Sequence, residues 1–202
     1  MNKPYRVTHR VYSQTARAES AEETGRRILE AFLVRLMNQW FDEITLENIA
    51  KDAGVTVQTV IRRFRGKEGL LCEAVKILAA QINAQRGRPS GDLAALVDGL
   101  YADYERTGDA LIRLLAIESR YPAIKRFTDV GRREHRQWIS DTMAGPLRNL
   151  ETAVRPSVVD ALVIATDVYA WKLLRRDMGR SIPAAKKTTK SLVRAVIAKL
   201  EP

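Results

Sequence analysis

Apolar residues recur every three or four positions over most of this chain, and nowhere do they alternate over the length of a strand; that spacing predicts helices. Residues 21–39 carry Ile28, Phe32 and Leu36 at intervals of four, with Leu29 and Leu33 beside them, which is one face of a helix. Two short helices follow within residues 45–65, with Leu46, Ile49, Val55, Val60 and Phe64 directed inward. Ala50 is small where two helix backbones come close, and Gly54 can take the positive φ of a tight turn between them. Thr45 and Thr56 stand at the two helix starts, where a hydroxyl can accept an otherwise unpaired backbone N–H. The pattern is a helix-turn-helix.

A further helix is expected from Lys67 to about residue 85, striped by Leu70, Leu71, Ala74, Val75, Leu78 and Ile82, with Glu68 at its positive end. The Gly- and Pro-rich residues 86–91 end it. Helices are then expected at about 92–105, 109–119, 123–143, 157–178 and 183–200, broken at Gly108, Pro122, Gly145-Pro146, Pro156 and Gly179. The helix at 157–178 is apolar nearly all round and has to be covered on more than one side. The last helix shows one stripe, Leu192, Val193, Val196, Ile197 and Leu200. The fold class is all-α, a three-helix N-terminal domain followed by a larger helical one. The boundaries fall at 1–20, a flexible basic arm; 21–66, the helix-turn-helix domain; and 67–202, the larger domain.

The outward side of the second short helix carries Thr56, Gln58, Thr59, Arg62 and Arg63, and residues 54–67 hold four basic side chains and no acid. Positive charge beside hydrogen-bonding side chains suits a groove reader, because phosphates supply affinity and base edges supply sequence choice. A solvated polar face is the plain alternative. The frame around it is more specific: Arg27-Ile28-Leu29-Glu30-Ala31-Phe32, then Phe41, Thr45, Ile49-Ala50, Ala53-Gly54-Val55-Thr56, Thr59-Val60, Phe64, Lys67-Glu68 and Leu70-Leu71. Residues 22–72 closely resemble the N-terminal domain of the tetracycline repressor (TetR) family of bacterial transcription regulators. The resemblance implies a double-stranded DNA operator as partner, with Thr45, Thr56, Val57, Gln58, Thr59, Arg62, Arg63 and Lys67 as DNA contacts. It also implies a homodimer and an unidentified small-molecule effector. Three positions depart from the pattern: Trp40 replaces a usual glycine, Ile61 a usual phosphate-contacting tyrosine, and Arg35 a usual apolar residue of the first helix.

With 202 residues and 46% hydrophobic content the chain can bury a sizeable core. Its net charge of +10 favours an acidic partner such as nucleic acid. That surplus is unevenly spread, about three in residues 1–68 and about seven in residues 172–202, so the local cluster on the second short helix says more than the total. One cysteine, Cys72, rules out an internal disulfide, and two separated histidines, His9 and His135, offer no ligand spacing; no metal and no cofactor are expected. His135, within a charged run, is expected to face solvent. No apolar run approaches the roughly 20 residues that span a bilayer, and no signal peptide opens the chain, so a cytoplasmic protein without a membrane partner is expected.

An effector pocket is expected among the middle helices, with Tyr101, Tyr104, Trp138, Tyr169 and Trp171 as aromatic candidates and Asp167 and Glu118 as polar ones. Ordinary core packing and salt bridges are the competing readings. The apolar stripes of the last two helices suit a four-helix bundle with a second copy. Three function classes follow: a ligand-responsive DNA-binding repressor, a basic architectural protein coating DNA without sequence choice, and a small helical enzyme. No G-x-x-x-x-G-K, H-E-x-x-H or G-x-S-x-G motif favours the last, so no catalytic residue is named.

Overall fold

A computed structural model of the chain describes residues 8–86, 91–148 and 150–198, and only the backbone of residues 8–18, 83, 85 and 86. Every regular element among them is helical. The chain divides into two compact units, and the division falls after Ala74.

The N-terminal unit begins with α1 (Thr8–Asn38) and a 3₁₀ turn at Phe41–Glu43. It continues with α2 (Leu46–Asp52), α3 (Val57–Phe64) and the first two turns of α4 (Lys67–Arg86). Residues 8–20, expected as part of a flexible arm, lie on α1. Ala16, Ala18 and Glu19 favour a helix there over a loop. The remainder of that arm, residues 1–7, lies outside the described residues. Ile28, Phe32 and Leu36 do form the buried face of α1, joined by Phe41, Ile44, Ile49, Val60, Leu70 and Leu71. Phe32 and Phe41 meet edge to face with ring centres 6.4 Å apart.

Both predicted caps form. Thr45 Oγ1 accepts from Asn48 N at 3.2 Å, and Thr56 Oγ1 accepts from Thr59 N at 3.2 Å. Gly54 takes φ +63°, the left-handed conformation the turn between α2 and α3 requires. The departure at Arg35 has a partner in space: its guanidinium meets Asp52 at 2.6 Å and ties α1 to the end of α2. That hydrogen bond holds the Asp52 carboxyl below its ordinary pKa.

In the second unit, α5 (Leu93–Ile117) is the central element and packs against α6 (Pro122–Thr142). A short α7 (Ala144–Leu147) leads to α8 (Arg155–Thr166), α9 (Val168–Lys172), a π-helical turn at Leu173–Asp177 and α10 (Ile182–Ala198). The core joins Val97, Leu100, Tyr101 and Tyr104 of α5 to Ile139, Leu162, Trp171 and Val193 from its neighbours.

Two sequence expectations are corrected here. Gly108 does not break α5. Its missing Cβ is the seat of the Trp171 ring, since a methyl there would lie 2.5 Å from ring atom Cζ3. The single helix expected at 157–178 is divided at Asp167, whose backbone is extended (ψ 154°) and whose carboxylate caps α9 by accepting from Tyr169 N at 2.8 Å. Thr166, just before it, donates its hydroxyl back to Leu162 O at 2.8 Å, a bond that competes with straight helix continuation.

Candidate nucleic-acid interface and ligand chamber

The outer face of α3 is presented by its own caps and anchors. Thr56 and Thr59 join hydroxyls at 3.0 Å, which fixes the first turn. Gln58, Arg62 and Arg63 are exposed, Val57 and Thr59 are half-buried, and Val60 behind them is fully buried. The short helix is therefore held from one side and left open on the other. Arg63 lies back over α1 at Gly25, where an added Cβ would meet the guanidinium at 2.1 Å. Arg62 and Ile61 have no such seat and face outward. Ser20 and Thr24 of α1 line a shallow groove with Thr59, Arg62 and Arg63. Sequence reasoning missed that pair, although two hydroxyls one helical turn apart were its signal.

Lys67 does different work from the phosphate contact the sequence suggested. Its ammonium donates to Phe41 O at 2.8 Å, Ile44 O at 2.9 Å and Asp42 O at 3.4 Å, and it sits 4.4 Å above the Phe41 ring. All three N–H donors are thus engaged by the 3₁₀ turn. Burial pushes the ammonium pKa down from its ordinary value, with Asp42 opposing. The side chain is a clamp inside the reading head.

The C-terminal unit encloses a chamber of about 120 Å³, walled by Leu111, Leu115, Phe127, Val163 and Val168 and by the rings of Tyr104, His135 and Tyr169. Of the seven predicted pocket residues, Tyr104, Asp167 and Tyr169 line it. The other four are engaged elsewhere. Tyr101 is buried with its hydroxyl 2.9 Å from Thr189 Oγ1, and burial raises its pKa. Trp171 donates to Glu105 at 2.9 Å and lies under the Arg176 guanidinium at 4.5 Å. Glu118 pairs with Arg132 at 2.6 Å and accepts from the Thr128 hydroxyl, and it sits below the usual carboxylate range chiefly because of the Arg132 hydrogen bond. Trp138 stacks on His135 with centres 6.2 Å apart.

His135 is not solvent-facing as expected; it is buried, with Nε2 3.1 Å from Thr166 Oγ1. The Thr166 hydroxyl, which also donates to Leu162 O at 2.8 Å, ties the imidazole to α8. The helical period hides this: Thr128, His135, Ile139 and Thr142 share the inner face of α6 while Arg133 and Glu134 point out.

On the other side of α8, an apolar groove runs between α8 and α10, lined by Ala161, Ile164, Ala165, Leu192, Ala195 and Val196. Ile164 is 70% exposed and Leu192 47%. Among the described residues no cluster of three His, Cys, Asp or Glu side chains is placed to hold a metal ion, and no helix is long and apolar enough to cross a membrane.

Residues 36–74 match the family model for bacterial regulatory proteins of the tetR family, a span that takes in α2, the turn, α3 and the start of α4. No curated protein sequence matches the chain. Among solved structures, a transcriptional regulator of Rhodococcus sp. Rha1 superposes with a TM-score of 0.69 at 16% identity, covering 86% of this chain and 96% of that one. A protein of Mesorhizobium loti MAFF303099 described as a TetR-family transcriptional regulator gives 0.65 at 20% identity, with 89% and 97% covered. One from Pseudomonas aeruginosa PAO1, described as a transcriptional regulator, gives 0.62 at 18%, with 86% and 89% covered. These likenesses share the all-helical fold over nearly the whole length, and the helix-turn-helix carries the family signature. The segment from α2 to the start of α4 is thus a helix-turn-helix of the tetR family of bacterial regulatory proteins.

Proposed function

We propose that the chain is a sequence-specific DNA-binding transcriptional repressor that works in the cytoplasm as a homodimer and leaves its operator when a small molecule fills the chamber of the second unit. The observation that carries this reading is the outer face of α3. Gln58 and Arg62 stand exposed on a helix whose first turn is fixed by the Thr56 and Thr59 hydroxyls. An amide able to make two bonds to adenine, beside a guanidinium suited to guanine or phosphate, is a reading set rather than a solubilising one. Thr45 and Thr56, at helix N-termini, are the proposed backbone-positioning contacts, with Val57 and Thr59 against base edges or methyl groups.

The dimer reading draws on the α8–α10 groove. A contiguous apolar strip with Ile164 standing out of it is unusual on a monomer and normal at a subunit interface. Two copies would bring their α3 helices to successive major grooves, about 34 to 36 Å apart on a near-palindromic site.

Selection of genomic fragments in excess competitor DNA tests the reading. A recurring near-palindrome is expected, and Gln58→Ala should relax one base position per half-site by about 1 to 3 kcal/mol. Binding abolished by competitor would mark an architectural protein instead.

A further inference from the structure

Gly131 lines the chamber from the inner face of α6, about one turn after Thr128 and one before His135, both of which are buried. Glycine is the poorest helix former after proline, and a mid-helix position on a buried face ordinarily carries a side chain that packs. In other helices a missing side chain makes room for a neighbour: a Cβ on Gly25 would strike Arg63, and one on Gly108 would strike Trp171. At Gly131 an added Cβ would meet no atom of the described residues within 4 Å. Helix stability is given up at this position, and what it leaves is space inside the chamber.

The walls of that space are apolar and aromatic. Leu111, Leu115 and Val163 line it, and the rings of Tyr104, Phe127 and Tyr169 reach it from α5, α6 and α9. Rings that meet edge to face or offset gain beyond the area they bury, which favours an aromatic guest over a saturated one of equal size. The polar groups at the wall already hold partners. Tyr104 donates its hydroxyl to Thr166 O at 3.2 Å, His135 Nε2 lies 3.1 Å from Thr166 Oγ1, and the Thr128 hydroxyl donates to Glu118. The charged groups are committed as well. Arg132 meets Glu118 at 2.6 Å and Asp129 at 3.0 Å, and the Asp167 carboxylate accepts from Tyr169 N at 2.8 Å. Glu134 is exposed and turned away from the inner face of α6. A charged guest would leave water only to find the opposite charges already held, which costs more than it returns.

Size bounds the guest. The chamber is about 120 Å³, near the roughly 150 Å³ of an apolar protein cavity that binds benzene. We infer that the chamber selects an uncharged compound of one aromatic ring, carrying no more than a small neutral substituent, and that Gly131 keeps the seat for it open. This rests on the reading of the chamber as the effector site, and it adds the chemical class.

Four near-isosteric probes test it by calorimetry on the full-length protein at neutral pH: benzyl alcohol, cyclohexylmethanol, benzylamine and benzoate, the last two charged. Benzyl alcohol is expected to bind at least about tenfold tighter than either ion and about threefold tighter than cyclohexylmethanol. Gly131→Leu, whose side chain occupies the space, should abolish benzyl alcohol binding with an unchanged helical circular dichroism spectrum and a Tm no lower than before, since leucine is the better helix former. Gly131→Ala adds a single methyl and should weaken binding while raising Tm, which decides the matter should the leucine variant fail to fold. Equal or tighter binding of cyclohexylmethanol, benzylamine or benzoate overturns the inference, as does full benzyl alcohol affinity in the folded glycine variants or no binding at millimolar concentration. Selective binding that leaves operator affinity unaltered upholds the chamber's preference and sinks its role as the effector site.

Discussion

Lys67 separates two physical roles that a DNA-binding assay alone would confuse. Replacing it with Met keeps the aliphatic stem over Phe41 and removes only the ammonium. Two bonds are lost to carbonyls at 2.8 and 2.9 Å, and a third, weaker one at 3.4 Å. Hydrogen bonds from a charged donor contribute about 1.5 to 3 kcal/mol each in favourable settings. The site is half-buried, and water can reach part of it after substitution, so the lower end applies and the total loss is about 2 to 3 kcal/mol. For a chain of this length that lowers Tm by roughly 5 to 10 °C. Operator affinity should fall with it, because a loosened 3₁₀ turn no longer fixes the start of α4. The slope of log affinity against log salt should stay constant, since no phosphate contact is lost. Arg62→Ala provides the contrast: Tm unchanged, slope reduced by about 0.9. Scanning calorimetry and a salt series on both variants decide the matter. A reduced slope with an unchanged Tm for Lys67→Met would refute the clamp and restore the phosphate contact.

At the proposed interface, Ile164→Glu should give a folded monomer by light scattering at micromolar concentration, since the residue is 70% exposed within one chain; persistence of a dimer would place the interface elsewhere. Gly108→Ala gains up to about 1 kcal/mol of helix propensity but forces a methyl to 2.5 Å from the Trp171 ring, which Glu105 and Arg176 hold, so a net loss of about 1 to 2 kcal/mol is expected by chemical denaturation, and a gain would show that the ring can move. Asp98, Glu105, Asp109 and Glu118 all lie below the ordinary carboxylate range because Lys186, Arg175, Arg176 and Arg132 donate to them. Their contribution is full above the unfolded values near about 4 and is lost as pH falls through the lower folded values; Tm should thus be level from neutral pH to about 5 and drop steeply below about 4, less steeply in Glu105→Gln.

What the sequence disclosed follows from how local each cause is. Thr45, Gly54 and Thr56 act within four residues, and their roles were readable from spacing alone. Ile28, Phe32 and Leu36 were equally plain, because a helix buries every fourth residue whatever it packs against. The bend at Asp167 was not: a lone Asp in an apolar run reads as an interruption, and only the buried Thr166 beside it, bonded back along α8, makes it a cap. Gly108 misled for a related reason. Local propensity marks glycine as a breaker, whereas here the missing side chain is used by Trp171, 63 positions later in the chain. His135 was placed outside because its sequence neighbours are charged, though neighbours along a helix face in different directions. Lys67 belonged to a motif whose spacing was right, while the use of its charge depended on carbonyls more than 20 residues earlier.

The same distinction bears on the basic surplus, which by count favoured a protein that coats DNA. Along the sequence, residues 172–202 hold most of it, yet in space much of that charge is answered. Lys172 pairs with Asp177, Arg175 with Glu105 and Arg176 with Asp109, while Lys186 and Lys190 share Asp98. Four of these five acidic contacts come from α5, which the linear count never set beside the C-terminal helices. On α3, Arg62 has no acidic partner among the described residues, and neither does Arg65 just after it. Exposed pairs contribute little stability, but they cancel long-range attraction to a polyanion, so the charge left to meet DNA is concentrated where the side chains can also read bases. A coating protein would need the opposite arrangement, with unpaired cations spread over the larger unit.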